Sequence, residues 1–497
     1  MRLVRLGFAL IAILAGCSAA AAQQTPNLSE IATALAEERA QIAALRAELD
    51  RRDARLAELT ARLSTATNVI EPAAPEAKPA PPPVVLSQPT AVPRFQFYAD
   101  SRVRYETLHQ EYEGCDGCPD RKRGRLRLRF GAEGHVTPDF TAVIGLGLGE
   151  ISDPNTVYAN LGNNFSRKVA SWDRGYVEYH PSKVKWMRLM AGKFPYTWQR
   201  SSMTFDVDFY PEGLNQRFSF DLGSSAVKSV GAQAFELIVN EQPGDRHMTI
   251  VGGQLTAAIS AIPKVVTRIA VTGLDIDNPE FMLRALLDGT DTGVRNTNAV
   301  LGTGPAAQLL SGYRYANVIV DNAVATPWPK LPIIFGFEYQ KNLEAANDRD
   351  KGLSFRVDAG RAQRRGDWDG GWHVFRVEQD AILAGLGESD WRAPSNVLQH
   401  RFALNRMMNE NVQLGFTLYR GRTLDPTLRG ALTAPNFVPG IREPWMNRAY
   451  FDITYRYWRA MDSVGSPGIV DHEAPRAVCL TTQNIPVAAG QCHRLAI

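Results

Sequence analysis

The chain has 497 residues, with 55 Lys and Arg against 52 Asp and Glu, so its formal net charge is only +3. This length favours two or three structural units over one compact domain. A protein that binds nucleic acid by itself usually carries a larger basic excess, so the near-neutral balance argues against that class.

Residues 1–22 have the three parts of a secretory signal peptide. Arg2 and Arg5 provide the positive start, a short apolar core follows, and Ala20-Ala21-Ala22 is a small-residue cleavage site. The four residues that end at Cys17 fit a lipoprotein box equally well, in which case Cys17 would carry a lipid. Both interpretations predict that the chain is exported.

Residues 23–70 carry a heptad pattern, with apolar residues at alternating spacings of three and four. The seam is Leu28, Ile31, Leu35, Ile42, Leu45, Leu49, Leu56, Leu59 and Leu63. We expect a periplasmic α-helical coiled coil, and therefore a homo-oligomer. The alternative is one amphipathic helix packed on a globular core, which usually needs a wider apolar stripe.

Residues 71–93 contain eight prolines among Ala, Glu and Lys. Proline lacks a backbone N–H and fixes φ, so this segment can form neither a helix nor a sheet ladder. We expect a Pro-rich linker with an extended, polyproline-like conformation.

Residues 94–458 change to an apolar period of two, which is the period of a strand with one apolar and one polar face. Leu126, Leu128 and Phe130 alternate with arginines in the clearest segment. Roughly sixteen such segments fit the length of membrane-spanning strands. No further stretch reaches the roughly 18 apolar residues of a spanning helix.

The fold class predicted from these segments is all-β: a transmembrane antiparallel β-barrel of about sixteen strands, preceded in the chain by the α-helical coiled coil and the Pro-rich linker. A soluble β-sandwich is the alternative, because its polar face would meet water. Export and aromatic residues near strand ends favour the barrel, since lipid tolerates no unpaired sheet edge.

A barrel of about sixteen strands is too wide for side chains to fill, so its interior should hold water. The positions assigned to the pore lining are Arg102, Arg104, Arg125, Arg127, Arg129, Glu133, Arg401, Arg448 and Arg456. An excess of arginine predicts a weak preference for anions. The alternative is that these charges pair with one another and only solvate the wall.

Five motifs between Arg123 and Phe218 resemble the putative porin family of Gram-negative outer membranes. They are Arg125-Leu-Arg-Leu-Arg-Phe-Gly131, Phe165-Ser-Arg-Lys168, Trp172-Asp-Arg-Gly-Tyr-Val-Glu-Tyr179, Met190-Ala-Gly-Lys-Phe-Pro195 and Phe205-Asp-Val-Asp-Phe-Tyr-Pro-Glu-Gly213. The resemblance implies a channel for passive diffusion, trimeric, with both barrel ends on the periplasmic side. It also implies partners: outer-membrane lipid and small polar or ionic solutes.

In the frame of that family, the segment Pro195–Asn215 becomes a candidate constriction loop. It carries Arg200, Asp206, Asp208 and Glu212 between two strands. A loop folded into the barrel would narrow it, whereas a plain extracellular loop is the alternative. Three glycines on one inner wall would leave room for the folded loop: Gly145, Gly147 and Gly149.

Four cysteines remain after export: Cys115, Cys118, Cys479 and Cys492. An even number in an oxidising compartment could form disulfides, although the sequence does not determine their connectivity. The last two lie in residues 459–497, a C-terminal periplasmic extension that follows the final strand.

The chain has no nucleophile elbow, no clustered zinc ligands and no paired catalytic acids in a recognisable context. We therefore expect no enzyme activity, no cofactor, no metal and no nucleic acid partner. The predicted function is an outer-membrane porin for small polar or ionic solutes. The alternative is an outer-membrane structural tether or adhesin that uses the barrel as an anchor.

Overall fold

The computed structural model describes residues 95–109, 120–149, 155–162, 164–208, 210–223, 226–241, 247–288, 295–302, 304–428 and 445–460, together with Arg51, Ala54 and Arg55. The predicted signal peptide, nearly all of the coiled coil, the linker, the five cysteines and almost all of the C-terminal extension lie outside these residues. Those assignments stay predictions.

The first half of the described chain contributes ten strands. They are β1 Phe95–His109, β2 Arg121–His135, β3 Phe140–Leu148, β4 Tyr158–Asn160, β5 Ala170–Tyr179, β6 Met187–Lys193, β7 Glu212–Asp221, β8 Val227–Asn240, β9 Met248–Ile259 and β10 Val265–Asp277.

The connection after β10 contains the helix α1 Glu280–Leu287 and a short hairpin of β11 Val300–Leu301 and β12 Gln308–Leu309. Seven longer strands complete the chain. They are β13 Tyr313–Val324, β14 Ile333–Asn342, β15 Lys351–Gly360, β16 Trp368–Val377, β17 Val397–Met407, β18 Val412–Thr423 and β19 Met446–Ala460.

Seventeen of these strands form one antiparallel sheet, which closes on itself because β1 pairs with both β2 and β19. Strands β3 and β4 both pair with β2, one after the other along its length, and so occupy a single position. The sheet is therefore a closed barrel of sixteen positions. The prediction of an all-β antiparallel barrel of about sixteen strands is confirmed.

Alternate side chains of each strand point to opposite sides of the barrel wall, and β1 shows this clearly. Phe97, Val103 and Tyr105 are 49%, 49% and 48% exposed, whereas Arg102 and Arg104 are 7% and 6% exposed. Apolar residues therefore face outward and charged residues inward. This is the reverse of a water-soluble barrel and the arrangement that a lipid environment requires.

The connections at the two ends of the barrel differ in length. Short turns join β2 to β3, β9 to β10 and β17 to β18 at one end, whereas long segments join β6 to β7, β10 to β13 and β16 to β17 at the other. Both ends of the sheet, Phe95 and Ala460, lie at the short-turn end. The last strand runs to Ala460, two residues past the boundary expected at 458.

The hydrophobic core lies inside the barrel, where the long connections meet. Phe194 and Met203 from the 194–211 loop are fully buried, as are Ile382 and Trp391 from the 378–396 loop. Both loops therefore fold inward from the long-loop end. No helix among the residues described here is long and apolar enough to cross a membrane.

Candidate pore and its constriction

The 194–211 loop crosses the barrel interior and contacts three parts of the wall. The ring of Trp198 stacks on Phe235 of β8 with centroids 4.3 Å apart. The backbone N–H of Gln199 donates to Oε1 of Gln254 at 2.9 Å, and its side-chain amide donates to Oδ2 of Asp321 at 2.7 Å. These contacts hold the loop across the interior rather than over the rim.

A wall glycine makes room for the same loop. A Cβ atom at Gly352 of β15 would lie 2.7 Å from Sδ of Met203, so only glycine permits this approach without a shift. The three glycines singled out from the sequence serve other neighbours. The space beside them is taken by the side chains of Tyr98 of β1 and Asp173 of β5 and by the backbone of residues 156–157, which precede β4, rather than by the loop.

Three of the four predicted constriction residues lie in the inward part of the loop. Arg200 packs over the ring of Tyr196 with 3.7 Å from Cζ to the centroid. Asp206 is fully buried and Asp208 is 8% exposed. The carbonyl of Asp208 accepts a hydrogen bond from Arg129 at 3.1 Å.

The fourth residue, Glu212, does not share this position. It is the first residue of β7, its side chain is 59% exposed, and it pairs with Lys193 of β6 at 2.6 Å. Glu212 lies outside because strand pairing between β6 and β7 begins at this residue, and the even-numbered residues of β7 point outward.

The 378–396 loop packs against the 194–211 loop inside the barrel, and sequence reasoning missed it. The backbone N–H of Asp206 donates to the carbonyl of Leu386 at 2.8 Å, and the N–H of Ser389 donates to Oδ2 of Asp206 at 2.7 Å. Asp390 in turn lies 3.8 Å from Arg104 and 3.3 Å from Arg448. The acids of this loop fall in a non-periodic segment, so no strand pattern drew attention to them.

These loop acids have shifted pKa values because they are buried close together. Burial and then the charge of Asp208 raise the pKa of Asp206 to about 8. Burial and then Asp206 raise the pKa of Glu388 well above its ordinary value. Burial opposes ionisation of Asp390 as well, but Arg448 and Arg104 outweigh it and lower its pKa to about 2.

The inward arginines of β1, β2 and β19 are largely neutralised by ion pairs. Glu106 is fully buried and lies 2.9 Å from Arg123, 3.4 Å from Arg125 and 3.0 Å from Arg448. Glu106 was absent from the predicted lining, although it shares the inward parity of the β1 arginines. Continuing the alternation of β1 from Arg102 and Arg104 by two residues would have assigned Glu106 to the inner face.

Further acids continue this pairing along the same wall. Asp452 lies 2.8 Å from Arg104, and Asp100 lies 2.7 Å from Arg127 and 3.5 Å from Arg456. Such pairs fit the alternative stated for the predicted lining residues, in which the charges pair with one another.

Tyr158 of β4 covers part of this arginine wall. Its ring centroid lies 4.4 Å from Cζ of Arg104, 4.8 Å from that of Arg125 and 5.7 Å from that of Arg127. An aromatic ring attracts guanidinium groups through its negative face. The ring therefore helps to hold these guanidinium groups against the wall.

A cavity of about 300 Å³ lies between the 194–211 loop and the opposite wall. Seven arginines and eight carboxyl groups line it: Arg102, Arg104, Arg200, Arg268, Arg356, Arg401, Arg456, Asp208, Asp321, Glu338, Asp358, Asp369, Glu388, Asp390 and Asp452. The two signs of charge are therefore nearly balanced around the cavity.

The predicted lining residues divide into two groups around this cavity. Four of them border it: Arg102, Arg104, Arg401 and Arg456. The others lie elsewhere on the inner wall. The buried ones are Arg125, Arg127, Arg129 and Arg448, each 8% exposed or less. Glu133 lies near the short-turn end beside His135, 3.6 Å away.

A second charged cluster on the far wall was not predicted. Arg356 lies 2.7 Å from Asp321 and 2.9 Å from Asp358, and His373 lies 2.8 Å from Asp358. All four side chains come from inward positions of β13, β15 and β16. The 194–211 loop reaches this cluster through the contact of Gln199 with Asp321.

Solved outer-membrane porins resemble this chain in fold at low sequence identity. An anion-selective porin from Comamonas acidovorans is 9% identical, with a TM-score of 0.42, over 74% of this chain and 100% of that chain. Pseudomonas putida OprB, in a high-pH structure, is 11% identical, with a TM-score of 0.45, over 73% and 94%. Salmonella typhi OmpF, in complex with daunomycin, is 11% identical, with a TM-score of 0.41, over 73% and 97%.

These distant likenesses transfer no residue role to this chain. No curated protein matches it. The family described as putative porin matches residues 109–239, a segment that runs from the end of β1 into β8 and contains all five motifs of the resemblance. The resemblance of this chain to the putative porin family is thereby confirmed.

Proposed function

We propose that this protein is an outer-membrane porin through which small polar or ionic solutes diffuse passively. The observation that carries the proposal is the charged cavity of about 300 Å³ between the 194–211 loop and the barrel wall. Charged walls replace part of the hydration shell of a polar solute, whereas an apolar constriction would exclude water. The outward apolar surface supports the location in the outer membrane.

The 194–211 loop acts as the constriction, with Arg200 and Asp208 bordering the cavity and Asp206 buried behind them. Support comes from its anchors on β8, β9 and β13, which hold it across the interior. The 378–396 loop supports it from behind through Asp206. Solutes therefore pass between the loop and the part of the wall across the cavity from it, where Arg401 and Arg456 lie.

The selectivity is weak, because the cavity lining has nearly equal numbers of the two charge signs. The anion preference expected from the arginine rows is reduced by Glu106, Asp100 and Asp452, which pair with those arginines. The remaining bias depends on the lining charges that are not balanced by a neighbour of opposite sign.

In bacterial barrels the short turns face the periplasm and the long loops face the exterior. This rule orients the chain with Phe95 and Ala460 at the periplasmic side, and the coiled coil that the sequence predicts before Phe95 would then belong to the periplasm. A coiled coil at that position would hold the barrels together as a homo-oligomer, in line with the trimer that the family resemblance implies.

Single-channel recording in planar bilayers tests the proposal. Full-length protein, folded in detergent and heat-modifiable on a gel, should give stable stepwise currents in salts of small ions. Silence from such a folded oligomer would contradict the channel and support the tether or adhesin alternative. The dense packing of the 378–396 loop makes this comparison informative, because a plugged barrel is what the alternative expects.

A further inference from the structure

One arc of the outer wall carries positive charge at the long-loop end. Strands β14, β15, β16 and β18 each place cations at outward positions close to their long connections. These residues are Lys341, Lys351, Arg376, Arg420 and Arg422. They share the face of the exposed residues Phe337, Phe355 and Leu414, so they stand on the lipid side of the wall.

The same rim is acidic on another arc. Strands β7, β8 and β10 place Glu212, Glu236, Asp275 and Asp277 at the corresponding outward positions. The positive arc is therefore a local feature and not a property of the whole rim. A ligand that recognised it would be anionic and would approach from the membrane.

The centre of the positive arc is a group of two arginines and an indole. The Cζ atoms of Arg420 and Arg422 lie 5.0 and 5.3 Å from the ring centroid of Trp445. The ring of His400 lies 5.7 Å from the same indole. Register places His400 directly opposite Arg420, and Leu398 opposite both Arg376 and Arg422.

The central arginines differ from their neighbours in how they are neutralised. Lys341 and Lys351 share Asp350 at 3.5 and 3.0 Å, and Arg376 pairs with Glu378 at 2.7 Å. Within the part of the chain that the structure describes, no acid pairs with Arg420 or Arg422. There the Nε atom of Arg422 is also buried and lacks a hydrogen-bond acceptor.

We propose that the surface formed by Arg376, His400, Arg420, Arg422 and Trp445 binds the phosphate group of an anionic lipid in the leaflet at the long-loop end. Guanidinium groups bind phosphate through paired N–H donors, and an indole is favourable at the depth of lipid headgroups.

The spacing of the arginines suits a lipid with more than one phosphate. Arg376 and Arg422 lie two strand spacings apart, about 9.6 Å, and Arg420 and Arg422 are about 7 Å apart along one strand. The inference rests on the membrane location in the proposed function but not on conduction. The site should therefore bind lipid even if the barrel conducts no ions.

Native mass spectrometry of the full chain in neutral detergent tests the site. The probe is lipid A, a glycolipid with two phosphates, and the comparison ligand is the same glycolipid without phosphates. Arg420→Gln/Arg422→Gln should weaken lipid A binding by about tenfold or more, because charge-assisted hydrogen bonds to phosphate are the strong ones. Arg420→Lys/Arg422→Lys should retain part of the binding, since Lys keeps the charge without the planar fork.

Arg406 offers a matched control. It is an outward arginine of β17 near the short-turn end, and its Cζ lies 4.9 Å from the ring centroid of Trp368. Arg406→Gln should leave lipid A binding unchanged. Equal losses in this variant and in the double variant would overturn the proposal, because they would reveal only general attraction to a cationic barrel.

Two further measurements distinguish lipid phosphate from free phosphate as the ligand, and loss of the site from misfolding of the variant. Equal binding of the dephosphorylated glycolipid, or full displacement of lipid A by inorganic phosphate, would refute a lipid phosphate site. Heat-modifiability and single-channel current of each variant are recorded alongside. A double variant that folds and conducts normally but loses lipid A supports the site, whatever the channel's selectivity proves to be.

Discussion

Glu106 of the first strand and Arg448 of the last strand meet inside the barrel, with the Arg448 Nη2 and Glu106 Oε1 atoms 3.0 Å apart. Residue Glu106 is fully buried and also pairs with Arg123 and Arg125 of β2. One carboxylate of β1 therefore neutralises cations on both neighbouring strands, β2 and β19, where the barrel closes. The pair exists only once the barrel is closed.

Glu106→Gln should destabilise the barrel strongly. Removal of one partner from a buried ion-pair network costs about 3–5 kcal/mol, because the remaining charges stay buried without compensation. The measurement is the free energy of unfolding in urea from lipid vesicles. Glu212→Gln is the control, since Glu212 forms one exposed pair with Lys193, and its effect should be much smaller. Equal effects of the two variants would remove the special role of Glu106.

Trp198→Ala should loosen the constriction and increase single-channel conductance. Trp198 is 2% exposed and stacks on Phe235, so truncation removes packing worth about 3–5 kcal/mol from the loop. Currents should be larger and noisier than in the native chain. Trp172→Ala is the matched control, because that side chain is 62% exposed on the outer wall. Unchanged current in the Trp198 variant would argue against the 194–211 loop as the constriction.

The contact between the two inward loops should weaken as the pH rises. Burial raises the pKa of Asp206 from an ordinary value of 3.8 to about 8, so the folded loop holds its proton where the unfolded chain has lost it. The folded contact therefore loses stability between about pH 4 and pH 8. Channel closures recorded from pH 5 to pH 9 should change in frequency through this window.

Asp206→Asn mimics the protonated carboxyl and should abolish that pH response. Asp221→Asn, at an exposed site at the end of β7, should leave it intact. A response that persists in Asp206→Asn would assign the titration to another group.

Asp390→Asn should shift the ion preference toward anions. Asp390 lies 3.8 Å from Arg104 and 3.3 Å from Arg448, and its removal leaves positive charge beside the cavity. The arginines lower the pKa of Asp390 to about 2, so the native carboxylate stays charged throughout the usual range. The reversal potential in a salt gradient measures the shift. Asp390→Glu, which keeps the charge, should stay close to the native value.

Val103→Arg should destabilise the barrel from its lipid side. Val103 is 49% exposed at an outward position of β1, where an arginine near the membrane midplane costs about 2–4 kcal/mol. Unfolding from lipid vesicles gives the magnitude, with Val103→Leu as the control for side-chain size. A neutral effect of the arginine would indicate that this face meets protein or water.

The sequence alone determined the strand alternation and therefore the fold class. Phe97, Val103 and Tyr105 face outward and Arg102 and Arg104 inward because successive residues of any strand point to opposite faces. No tertiary information is needed for that assignment. The same local reasoning missed α1 and the β11–β12 hairpin, whose segment has no clear period of two.

Only the tertiary structure decided which charges meet. Glu106 and Arg448 are 342 residues apart in the sequence, and Asp206 and Ser389 are 183 apart. The first pair depends on barrel closure, and the second on two irregular loops folding into one interior. Strand periodicity specifies the face of a residue but not its partner across the barrel, because contacts between distant segments depend on how the whole chain closes around the space it encloses.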